Sequence, residues 1–122
     1  MAAPNIVAVT SIYGKTKGDN LGTTLTTDIL TCPANKVLKI NTIIVANIDG
    51  SNSADATVYF YDSSATARYA LASTIAVPAD ASIIVIDKNS AIYLEESDQI
   101  EAGASSASDL VITISYEEID DA

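Results

Sequence analysis

The chain has 122 residues, of which 48% are apolar, and its 16 acidic and 6 basic side chains give a net charge of −10. That length makes one domain with one core, and that apolar content excludes a disordered chain. The charge disfavours direct contact with nucleic acid or an anionic membrane surface, and no apolar run approaches the roughly 20 residues of a membrane helix.

Tryptophan is absent and phenylalanine single, so the core is expected to be aliphatic, built from Ile, Val and Leu. Such a core gives a lone monomer modest stability and makes a homo-oligomer the expected state. Cys32 is the only cysteine, which excludes an intrachain disulfide. The opening Met-Ala-Ala-Pro-Asn lacks the positive region and long apolar run of a secretory leader. The chain is therefore expected to be soluble and made in a reducing compartment.

Residues 1–5 read as a short arm, where Pro4 blocks regular pairing, and residues 6–13, with Ile6, Val7 and Tyr13, read either as a first strand or as an arm that extends through residue 13 and lies on a neighbour. Residues 14–20 read as a turn-rich basic loop. Gly14-Lys15-Thr16 has the end of a phosphate-binding loop, but Val9 stands where the upstream glycine belongs, so a plain loop is expected. Residues 22–30, rich in threonine, suit an edge strand, and Pro33 stops it.

Residues 36–62 organise the reading. Two β-branched and aromatic runs flank the turn-rich Asp49-Gly-Ser-Asn-Ser-Ala-Asp55, and the pattern predicts a hairpin with a long loop. Alternation puts Leu38, Ile40, Thr42, Ile44, Ala46 and Ile48 toward the core. Ile43 and Val45 then fall on the outer face, where a further strand or a second subunit must cover them. Residues 69–77 read as a strand ended by Pro78, and Ile83-Ile-Val-Ile86 as a strand buried on both faces. Short strands follow around Ile92 and Gln99. Leu110, Ile112, Ile114 and Tyr116 alternate inward along a last strand, and residues 117–122 form an acidic tail. No segment sustains helical periodicity. The fold expected is an antiparallel β-sandwich of jelly-roll type, with eight or nine strands and almost no helix.

Catalytic chemistry finds no foothold. Histidine is absent, so no Ser–His or Cys–His couple and no histidine metal site can form. Cys32 reads as a structural thiol. The Asp49–Asp55 loop has oxygen ligands at alternate positions, but Gly50 comes too early for the helix-flanked calcium loop, so a solvated loop is expected. Carboxylates at Glu95, Glu96 and Asp98 and at 117–121 read as solvated surface. No metal, cofactor or enzymatic activity is expected. Tyr59 and Tyr61 lie together opposite Val58 and Phe60, and tyrosine suits interfaces because its ring buries while its hydroxyl stays wet.

Several segments then follow one another in a familiar order. They are Val37-Leu-Lys-Ile-Asn-Thr-Ile-Ile-Val-Ala-Asn-Ile-Asp-Gly, Leu71-Ala-Ser-Thr-Ile-Ala-Val-Pro-Ala-Asp-Ala, Ile92-Tyr-Leu-Glu-Glu-Ser-Asp-Gln-Ile, Ala102-Gly-Ala-Ser and Leu110-Val-Ile-Thr-Ile-Ser-Tyr-Glu-Glu-Ile. The order resembles small β-sandwich virion proteins of tailed bacteriophages, especially marine cyanobacterial phages. The chain departs from that pattern at Ser97-Asp98, where Gly-Asp is usual. The resemblance implies a non-enzymatic virion part, assembled in the host cytoplasm. The reading favoured is a capsid decoration protein, trimeric, held by protein–protein contacts with the major capsid protein or other virion proteins. The alternatives are a neck, tail or fibre-attachment adaptor, or a carbohydrate-binding module on a fibre.

Overall fold

The structure is a computed structural model that describes residues 11–120. Nine strands account for most of them: β1 (Ser11–Asn20), β2 (Thr26–Thr31), β3 (Lys36–Asn47), β4 (Ala54–Asp62), β5 (Ala67–Val77), β6 (Ser82–Ile86), β7 (Ile92–Leu94), β8 (Gln99–Ala104) and β9 (Leu110–Asp120). The only helical piece among the described residues is a 3₁₀ turn at Lys88–Ser90, capped by the Asp87 carboxylate. Every ladder is antiparallel. One sheet runs β1-β9-β3-β6 with β7 beside β3, and the other runs β2-β8-β4-β5. The chain changes sheet at nearly every connection, which is the winding of a jelly roll.

The sheets close on an aliphatic core. Leu21, Leu38, Ile40, Ile43, Val45, Val58, Ile100, Leu110, Ile112 and Ile114 lie within it and are all fully buried. Phe60 and Tyr116 pack on its margin. Branched aliphatic side chains tile a pleated surface well, which is why a chain so poor in large rings still fills the space between two sheets.

The expected β3–β4 hairpin does not form. The two runs are strands, but they belong to different sheets, and residues 48–53 arch between them. Asn47 fastens that arch. Its buried side chain donates to the Asn52 carbonyl at 2.9 Å and the Val77 carbonyl at 2.9 Å, and accepts from the Asp49 N–H at 2.8 Å. Turn residues alone specify that the chain bends, not that its two arms share a ladder. Among the described residues, consecutive strands share a ladder only at β4–β5, joined through residues 63–66.

The face assignment of β3 holds only for its first half. Ile40 pairs with Tyr116 and Thr42 with Ser115, leaving Asn41 as an extra residue in a β-bulge. The bulge shifts the alternation by one. Beyond it Ile43, Val45 and Asn47 point inward, while Thr42, Ile44 and Ala46 point outward.

Three other expectations change. Residues 14–20 belong to β1 rather than a loop, paired without interruption to β9. Glu117 to Asp120 continue β9 rather than fraying as a tail. The Ile83–Ile86 run is not buried on both faces: it lies on an edge strand, where Ile84 is 64% exposed.

Candidate interaction faces

The interface residues expected from sequence scatter when placed on this frame. Ile6 and Val7 lie outside the described residues. Tyr13 sits on edge strand β1, half exposed. Ile43 and Val45 are fully buried core and reach no partner; the Asn41 bulge turns them inward. Tyr59 and Tyr61 do share one surface, the outer face of the four-stranded sheet.

The outer face of the five-stranded sheet is the first surface of interest. Pairing register puts Ile12, Thr16 and Gly18 of β1 on it, with Val111, Thr113 and Ser115 of β9. Thr42, Ile44 and Ala46 of β3 extend it to Ile84 of β6, and Tyr93 of β7 adds a ring. Only Lys39 and Glu117 among its side chains are charged, and they lie opposite each other. Glu117 also accepts a hydrogen bond from the Asn41 amide at 3.0 Å. The face is therefore neutral on a chain of net charge −10. It exposes Ile12, Ile84 and Tyr93 at 55%, 64% and 46%.

The outer face of the four-stranded sheet is built differently. Glu101, mid-strand in β8, points outward and yet is almost fully buried. Arg68 from β5 lies over it, with Nε 2.7 Å from Oε1 and Nη2 3.4 Å from Oε2. The same guanidinium sits 6.0 Å from the Tyr59 ring and 5.9 Å from the Tyr61 ring. A planar cation suits this arrangement because it pairs a carboxylate through its edge and stacks through its face. The hydrogen bond from Arg68 to Glu101 holds the guanidinium pKa above its ordinary value.

Beside Tyr59 this face opens into a cleft of about 300 Å³, lined by Thr57, Thr74 and Gly103, with Leu25 forming a wall and Asp55 and Ser105 at the rim. Sequence reasoning found the two tyrosines and missed the rest. A signal was present: Arg68 is the sole arginine, and Glu101 stands between inward-pointing Ile100 and Ala102 on a strand.

The remaining candidates are structural. Asp49 accepts hydrogen bonds from the Ser51 and Asn52 N–H groups, which lower its pKa and commit it to the arch. No group of three potential metal ligands occurs among the described residues. Asp98 is buried and caps two turns, accepting from the Ser63 and Glu95 N–H groups at 3.0 Å each. Glu96 accepts from the Asn35 N–H at 2.9 Å. Glu118 lies between Lys15 and Lys36, at 3.2 and 3.4 Å, and Lys36 also reaches Asp120. The Cys32 thiol is buried and donates to the Lys36 carbonyl. Burial pushes its pKa up to about 11, the opposite of what a nucleophile needs.

No protein-family model matches the chain, and no curated protein matches it.

Proposed function

We propose that the chain is a non-enzymatic structural protein of a tailed-phage virion, a decoration protein that binds the outer capsid surface and stabilises it by bridging capsid subunits. The observation that carries this reading is the neutral outer face of the five-stranded sheet. A surface that binds other proteins must shed its water, and charged side chains resist that most. Here a strongly acidic chain leaves one broad face with a single opposed Lys39–Glu117 pair and sets Ile12, Ile84 and Tyr93 on it. The acidic remainder keeps the subunit soluble and limits self-association elsewhere. The sequence resemblance to virion proteins of tailed phages supplies the partner class, and a homotrimer is part of the proposal.

Such a protein acts through area alone. A rigid sandwich laid across a joint between capsid subunits adds buried surface that internal pressure must break before the joint opens. Rigidity matters because a flexible bridge loses ordering entropy on binding.

Quantitative composition of purified particles tests the reading. A decoration protein is present in copies commensurate with the capsid lattice, and Ile84→Glu leaves particles undecorated while the subunit still folds. A handful of copies per particle instead assigns the chain to the neck, tail or a fibre attachment, where the same face serves an adaptor. Absence from particles removes the virion role altogether.

A further inference from the structure

The cleft on the opposite sheet carries an inference independent of the virion reading. Its volume, about 300 Å³, is at the small end of ligand pockets. Tyr59, whose ring stands on this face of the sheet, is among its lining residues. That ring is not loose: the Arg68 guanidinium lies against it, and Glu101 beneath holds the guanidinium in place.

The polar groups around the ring are hydroxyls and one carboxylate. Thr57 Oγ accepts a hydrogen bond from the Thr74 N–H at 3.1 Å, which leaves its own hydroxyl hydrogen to donate. Ser105 Oγ accepts from the Asp55 N–H at 2.8 Å and keeps its donor in the same way. The Asp55 carboxylate at the rim accepts no hydrogen bond from the described residues. Thr74 is held at φ 46, in the left-handed region. The break of register in the β4–β5 ladder opposite Thr57 puts it there.

These groups select one chemistry. No cation is among the residues that line the cleft, so phosphates and nucleotides find no counter-charge within it. The single carboxylate cannot hold a metal, and with the net charge of −10 it repels acidic ligands. Hydroxyls of Thr57, Thr74 and Ser105 stud a lining that is otherwise mostly apolar, so a guest with both an apolar face and hydroxyls suits it best. A pyranose ring fits on both counts, with an apolar C–H face for the tyrosine and hydroxyls for Thr57, Thr74 and Asp55. We infer that this cleft binds a neutral saccharide, with Tyr59 as the platform and Thr57, Thr74 and Asp55 fixing its hydroxyls.

The test is an amide-resolved NMR titration of the folded protein with glucose, galactose, mannose, N-acetylglucosamine, cellobiose, maltose and lactose, each up to about 50 mM. At least one sugar is expected to give saturable shifts centred on Thr57, Tyr59, Thr74 and Gly103. Tyr59→Ala then weakens binding at least about tenfold, while Tyr59→Phe, which keeps the ring, stays within about twofold of the parent. Should Tyr59→Ala fail to fold, Asp55→Ala, at a half-buried position of the lining, takes its place, with a loss of about fivefold expected. No saturable shift at these amides with any of the sugars overturns the inference. So does a folded Tyr59→Ala or Asp55→Ala that binds as well as the parent.

Discussion

Ile43 and Ile44 are adjacent in sequence and opposite in fate, and the difference rests entirely on the Asn41 bulge. Ile43 is fully buried, paired with Ile86 of β6 on one side and Ile114 of β9 on the other. Ile44 is half-buried on the outer face, between Ile84 and Thr113. Truncating a buried isoleucine to alanine removes its transfer free energy and leaves a cavity, a loss of about 2–5 kcal/mol. Ile43 has core neighbours on both flanking strands, so its site cannot collapse easily, and about 3–4 kcal/mol is expected for Ile43→Ala. For a domain of this size that lowers Tm by roughly 12–15 °C. Ile44→Ala loses about 1 kcal/mol or less, because much of its side chain already faces solvent. Urea unfolding followed by circular dichroism measures both, at one protein concentration, with m unchanged between variants. An Ile44→Ala loss equal to or larger than that of Ile43→Ala refutes the bulged register and restores simple alternation along β3.

Deleting Asn41 makes the Ile40–Tyr116 and Thr42–Ser115 pairs consecutive, so the strand is expected to fold with its faces intact. The cost is no more than about 2 kcal/mol, mainly the lost bond to Glu117, and chemical denaturation reads it. Asn47→Ala is expected to cost about 2–4 kcal/mol, because the arch loses three hydrogen bonds and two carbonyls lose their partner; a loss under about 1 kcal/mol contradicts its role as the clasp. With its thiol at about pKa 11, Cys32 is ionised in only about one molecule in a thousand at pH 8, against about a quarter for an ordinary thiol. Alkylation of the native protein is therefore expected to be at least about 100-fold slower than in denaturant. The sign for stability follows: above its ordinary pKa the unfolded thiol releases its proton while the folded one keeps it, so stability falls as pH rises from about 9 toward 11, and Cys32→Ala flattens that fall. Ser97 sits at φ 71, in the left-handed region that glycine tolerates, so Ser97→Gly is expected to raise stability by up to about 1 kcal/mol in thermal unfolding.

Residues 97 and 98 do separate jobs in one turn. The turn needs a positive φ at residue 97, and it needs the carboxylate of residue 98 to cap the Ser63 and Glu95 N–H groups.

Period-two alternation and β-branched composition were enough to establish an all-β sandwich, an aliphatic core and the near absence of helix. Those properties are local: along a strand without a bulge, the pleat alone sets which residues point inward. Leu110, Ile112 and Ile114 were read correctly for that reason, and so were Tyr59 and Tyr61 as neighbours on one outer face. Partner choice is not local. Turn chemistry at 49–53 reads the same for a hairpin and for an arch between sheets, and only the packing of β3 against β9 and of β4 against β8 decided between them. The Asn41 bulge is invisible for a related reason. It exists to fit β3 to β9, a strand some 70 residues away in sequence, and nothing beside Asn41 announces it. That one extra residue moved Ile43 and Val45 from surface to core, and carried Ile44 outward onto the neutral face. The cleft beside Tyr59 assembles from four separated segments, so the sequence held its parts and the tertiary structure alone brought them together.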